Sequence, residues 1–107
     1  MKTLLAFVAT VTLFSTLALA ETWTGILVDN MCKDKPDLAS HTRKCALGCA
    51  KSGFGLVTDG KFVKFDSAGN AKAVAALKAS SKEKDLQATV TGTLQDGTIQ
   101  VESIQIQ

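Results

Sequence analysis

The sequence predicts a small, mainly β domain: a five-stranded barrel with a helical cysteine loop after its first strand and one helix between its third and fourth strands. Three observations carry that prediction. Asp59-Gly60 and Asp96-Gly97 each stand between runs in which apolar and polar residues alternate, and both central positions of a two-residue type I′ hairpin turn need positive φ. A separate strand-like segment, Thr22 to Asp29, precedes the first hairpin. An alanine-rich stretch lies between the two hairpins, long enough for a helix.

Taken in order, the chain opens with an export signal. Lys2 is the only charge before Glu21, Leu4 to Phe14 is apolar apart from two threonines, and Ala18-Leu19-Ala20 is a small-x-small cleavage site. A retained membrane anchor needs about 18–20 strongly apolar residues, and Thr10, Thr12, Ser15 and Thr16 interrupt a shorter run here. The expected organisation is therefore residues 1–20 as signal and 21–107 as one domain. The working protein lies in a periplasm or outside the cell, with no membrane attachment after cleavage.

What remains is 87 residues with 11 Lys+Arg against 10 Asp+Glu. A net charge near +1 gives no footing for nucleic acid or for an anionic membrane surface. A small ligand, a metal ion or an envelope protein is left as the class of partner. A domain of this size has a modest core and often needs a covalent or metal staple, which directs attention to its three cysteines.

In the first strand, Trp23, Ile26, Leu27 and Val28 supply the apolar residues. In the hairpin Phe54–Thr58/Lys61–Phe65, a two-residue turn sets Leu56 opposite Val63 and Phe54 opposite Phe65, all on one face. Asn70 is the expected cap of a helix from Ala71 to about Ala79, with Val74 and Leu77 offered to the core. In the last hairpin Leu94 faces Ile99 and Gly92 faces Val101. Ile104 and Ile106 then have the wrong parity, so a bulge near Glu102-Ser103 or a strand wrapping around a barrel is expected. With the cysteine loop treated as an insertion, the order is β-β-β-α-β-β, that of the OB barrel. An open α+β sandwich is the alternative arrangement of the same elements.

The segment with chemical content is Asp29 to Gly53, DNMCKDKPDLASHTRKCALGCAKSG. Ser40 is placed to cap a helix from His41 to about Lys51, stopped by Gly53. On that helix His41, Cys45 and Cys49 are spaced i, i+4, i+8 and line one side, with Cys32 on the preceding loop. Three sulfurs and an imidazole are the inventory of a Cys₃His site for Zn(II) or Cu(I). Exported cysteines more commonly oxidise. Cys32 with Cys45 or Cys49 would then tie the loop to the helix, contributing roughly 3 kcal/mol for a loop of about 15 residues and leaving one spare thiol. A redox role calls for an exposed, acidic thiol at Cys45 or Cys49. No C-x-x-C pair is present.

Other chemistry finds little footing. Asp29, Asp34 and Asp37, with the Asn30 carbonyl, offer oxygens for a hard cation, but their spacing is not that of an EF-hand and reads as a solvated acidic loop. One histidine and no G-x-S-x-G elbow leave no catalytic constellation. His41 and Cys45 lack a third orienting group. The few aromatics read as core, not as a stacking platform for bases. The expectation is a binding or structural module and not an enzyme.

The opening WTGILVDNMC, the following H-x-x-x-C-x-x-x-C, LVTDGKFVKFD and the closing VTGTLQDGTIQVESIQ together resemble a group of small exported bacterial proteins with an OB-like fold. Those proteins begin W-x-G-x-[LIV]-x-D-x-x-C and end V-T-G-T…T-I-x-V-x-x-I. The resemblance spans nearly the whole of residues 21–107 and implies export and an OB-like barrel, with Cys32, Cys45, Cys49 and His41 at the group's cysteine and histidine positions. Lys33 stands where the group often has glycine. No activity follows from the likeness.

Overall fold

Two Asp-Gly pairs frame the fold. Asp59 and Gly60 adopt φ of 50° and 73°, and Asp96 and Gly97 adopt 52° and 76°, the left-handed conformations that a type I′ turn demands. The computed structural model describes residues 19–107 of the chain, and the predicted signal lies, apart from its last two residues, outside them. The strands are β1 (Glu21–Asp29), β2 (Phe54–Thr58), β3 (Lys61–Phe65), β4 (Gln87–Gln95) and β5 (Thr98–Ile106). The helices are α1 (Arg43–Gly48) in the cysteine loop and α2 (Ser67–Ala79) between β3 and β4.

The strands close into a barrel in the order β1-β2-β3-β5-β4, with β3 and β5 parallel and the other neighbours antiparallel. This is the OB arrangement, and it excludes the open sandwich. Closure depends on β1 serving two partners. Its first residues, through Ile26, pair with β4, while Ile26 to Asp29 pair with β2. At the crossover the two neighbours converge, and a Cβ on Gly25 would run into the Val57 carbonyl oxygen. Only glycine permits that approach.

Both hairpin registers match the alternation in the sequence. Leu56 pairs with Val63, and Phe54 and Phe65 follow just past the end of that ladder, both buried. Leu94 pairs with Ile99 and Gly92 with Val101. Between Gly92–Val101 and Thr91–Ser103 the register shifts, leaving Glu102 as the extra residue of a bulge at the expected place. The shift returns Ile104 and Ile106 to the side of their partners Val90 and Ala88, and both pack against the core.

Helix α2 begins earlier than the sequence suggests. Asp66, not Asn70, is its cap: Asp66 Oδ1 accepts from the Gly69 N–H (2.8 Å) and also from the Val101 N–H (3.2 Å), pinning the helix start to β5. Asn70 instead accepts from the Phe54 N–H through Oδ1 (2.9 Å), joining α2 to β2. Gly69, Ala73 and Leu77 are the buried face of the helix, and Val74 lies only partly buried against the core. Leu27, Leu56, Leu77, Leu86, Val90 and Ile99 are fully buried in one hydrophobic core shared by the strands and α2.

Candidate functional site

The cysteine loop leaves β1 after Asp29 and rejoins β2 at Phe54, and its neck is closed by a backbone bond from Asn30 N–H to the Gly53 carbonyl (2.9 Å). Its far side is held by the segment before β4. Arg43 N–H donates to the Glu83 carbonyl (2.9 Å), Asp85 N–H to the Ala39 carbonyl (2.8 Å), and the Arg43 guanidinium to the Glu83 carboxylate (3.0 Å). The loop is thus docked at both ends, which fixes where its cysteines fall.

Its local structure departs from a helix running from His41 to Lys51. Residues Leu38–Ser40 form a 3₁₀ turn, and the Ser40 hydroxyl donates back to the Asp37 carbonyl (2.9 Å), so it does not cap α1. His41 and Thr42 are extended, and Thr42 takes the cap position, its Oγ1 accepting from the Cys45 N–H (3.1 Å). The α-helix covers only Arg43–Gly48. Cys49 terminates it, and a second 3₁₀ turn, Ala50–Ser52, follows. His41 therefore lies outside the helix, and His41, Cys45 and Cys49 do not line one side of it.

Asp29 organises the site instead. It is the last residue of β1 and is fully buried. Its Oδ1 lies 2.7 Å from His41 Nε2, and the imidazole is itself buried. Its Oδ2 accepts from the Cys32 N–H (3.1 Å), which also bonds the Asp29 carbonyl in a tight turn (3.1 Å). A carboxylate removed from water is costly unless its oxygens are satisfied, and here each oxygen has a partner. Asp34 and Asp37 are exposed, so the three aspartates do not converge and the solvated-loop reading fails for Asp29 alone. Parity along the strand did not mark Asp29, since Leu27, Val28 and Asp29 are all fully buried at the end of β1.

Around this carboxylate the cysteines separate. Cys32 Sγ, Cys49 Sγ and a carboxylate oxygen of Asp29 all lie within 4.8 Å of one another. Cys45 is exposed and outside that group, and all three cysteines are free thiols in the structure. The set Cys32, His41, Cys45, Cys49 is thus divided. Cys32 and Cys49 come together, His41 joins through Asp29, and Cys45 stands apart. Among the described residues, Asp29, Cys32 and Cys49 are the side chains placed to hold a metal ion.

The surroundings act on the Cys32 thiol in one main direction. Burial, the negative charge of Asp29 and a side-chain hydrogen bond to Asp29 all raise its pKa, and Cys49 adds to the rise. Only Lys35 opposes it.

Beside the loop neck lies a cleft of about 210 Å³, lined by Asn30, Ser52, Phe62, Lys64, Phe65 and Asn70 among others. Lys33, next to Cys32, places its ammonium 5.6 Å from the centre of the Phe62 ring, within cation–π range. The cleft offers one cation, amide and hydroxyl groups, and three phenylalanine side chains, a lining suited to a small polar ligand. Comparison with protein-family models, curated proteins and solved structures finds no match to this chain.

Proposed function

We propose that the chain is a small exported binding or structural module in which Cys32 and Cys49 close the long loop as a disulfide, leaving Cys45 as a spare, exposed thiol. The observation that carries this reading is the approach of Cys32 Sγ to within 4.8 Å of Cys49 Sγ, while Cys45 lies outside the group. Export supplies the oxidising surroundings that such a bond needs, and the signal pattern of residues 1–20 supports export. Joining Cys32 to Cys49 closes a loop of about 17 residues, worth about 3 kcal/mol in the chain-entropy model. The bond would bind the two arms of the loop at its neck, where the cleft opens. The exposed Cys45 is the natural point for a cross-link to another thiol protein of the envelope.

The test is a peptide map of the protein collected from an exporting host, with free thiols blocked before digestion and no reductant added. The expected result is a Cys32–Cys49 linked peptide pair and a blocked Cys45. Three blocked cysteines, or a cross-link through Cys45 within one chain, would remove the reading.

A further inference from the structure

We propose that, in the reduced protein, Cys32, Cys49 and Asp29 form a site for one thiophilic divalent cation of the Zn(II) class, with Cys45 excluded and His41 acting as the positioning residue for the Asp29 carboxylate. The proposal rests on the same juxtaposition of Cys32 and Cys49 as the reading above, and adds what a plain cross-link leaves unexplained. A disulfide engages the sulfurs alone and gives no part to the carboxylate beside them, which is paired with His41 and the Cys32 N–H. Here the carboxylate is fully buried and within 4.8 Å of both sulfurs.

The geometry is close to what the ion requires. Zn–S bonds of about 2.3 Å and Zn–O bonds of about 2.0–2.2 Å place tetrahedral ligand atoms roughly 3.5–3.8 Å apart, so the three ligand atoms, within 4.8 Å of one another, close by at most about 1 Å. Two sulfurs and one oxygen select a borderline or soft ion over Ca(II) or Mg(II), which take oxygen ligands. Three protein ligands leave a fourth position for water or a small ligand.

The supporting contacts are already in place. His41 Nε2 holds Asp29 Oδ1 at 2.7 Å and the Cys32 N–H holds Oδ2 at 3.1 Å, so the carboxylate's orientation is set from both sides. Such outer contacts orient ligands and tune metal affinity. The ligands come from the end of β1, the turn after it and the C-terminus of α1, so an ion there would fasten both arms of the loop neck as a disulfide would. Binding replaces two S–H protons: one divalent cation enters, two protons leave, and no electron moves. The two thiolates and the carboxylate carry three negative charges against two on the ion.

The experiment uses the metal-free exported protein, fully reduced and kept under reductant, titrated with Co(II) and then with Zn(II). The expected result is one equivalent of Co(II) with a thiolate-to-cobalt charge-transfer band, displaced by Zn(II), and unchanged in Cys45→Ser. Cys32→Ser and Cys49→Ser each lose at least about tenfold in affinity, and His41→Gln about 10–100-fold. Since Asp29→Asn risks unfolding the loop, X-ray absorption on the wild-type zinc form supplies the carboxylate test, with two sulfurs and lighter atoms completing the shell. Failure of the reduced wild-type protein to bind Co(II), equal binding by a Cys32→Ser/Cys49→Ser double variant, or three sulfurs around zinc overturns the proposal. The disulfide reading is scored separately on unreduced protein, so either can fail while the other stands.

Discussion

The barrel strands and the cysteine loop are built on different kinds of information. In the two hairpins of the barrel, neighbours in sequence dictate neighbours in space. Once Asp59-Gly60 turns with positive φ, the pairing of Leu56 with Val63 follows from counting outward. In the loop, position is set by partners far along the chain. His41 is held by Asp29 twelve residues earlier, and Arg43 by Glu83 forty residues later. The barrel is therefore a periodic structure whose closure passes through a glycine-dependent approach at Gly25, and the loop is a docked insert held by a few polar anchors.

The two regions therefore respond differently to substitution. The largest effect belongs to the barrel. Leu56 is fully buried at its centre, and Leu56→Ala is expected to cost about 4 kcal/mol through lost burial and the cavity left behind, read as a shift in the denaturant midpoint of the whole domain. Within the loop the corresponding anchor is polar. His41→Ala leaves the Asp29 carboxylate buried without its closest partner and is expected to cost about 3 kcal/mol. Hydrogen exchange should show the loss of protection concentrated in residues 30–53. A loss spread evenly over the strands would mean that the loop and barrel are one cooperative unit.

A smaller local effect is expected at the α1 cap. Thr42→Ala removes the acceptor for the Cys45 N–H, at a cost of about 1 kcal/mol, and faster alkylation of Cys49 should accompany it. A pH series on the reduced, metal-free protein gives the mildest change. The Cys32 thiol is raised in the folded state by burial and by Asp29, so the unfolded chain releases this proton first as pH rises. The contribution of Cys32 to stability is thus complete below about pH 8.5, the ordinary thiol value, and is lost as pH climbs through the higher folded value. Denaturation midpoints should fall over that range, and Cys32→Ser should flatten the trend.

The same contrast explains how much was legible in the sequence. Strand alternation and Asp-Gly turns are local, and β2, β3 and the bulge at Glu102 can be read from them without knowledge of the rest. The start of α2 is not, because Asp66 and Asn70 are both acceptable caps. What decides is that Asp66 also meets Val101 while Asn70 is taken by Phe54. In the loop, the i, i+4, i+8 spacing of His41, Cys45 and Cys49 points to a shared helical face. That inference fails because Ser40 spends its hydroxyl on Asp37 and the chain stays extended through Thr42. The proximity of Cys32 to a later cysteine was readable as a possibility, but the choice of Cys49 over Cys45 was not. Asp29 was hidden by its acidic neighbours in sequence, and strand parity does not reveal it, because Val28 of the opposite parity is equally buried.

Cys32 and Cys49 as partners, with Cys45 the outsider, is the pairing on which the loop's proposed role turns. Thiol titration of two unreduced variants, collected from an exporting host and unfolded in denaturant, tests that pairing directly. Cys45→Ser should contain no titratable thiol, because its two remaining sulfurs are joined, while Cys49→Ser should contain both of its own. Two free thiols in Cys45→Ser, or none in Cys49→Ser, would contradict the pairing.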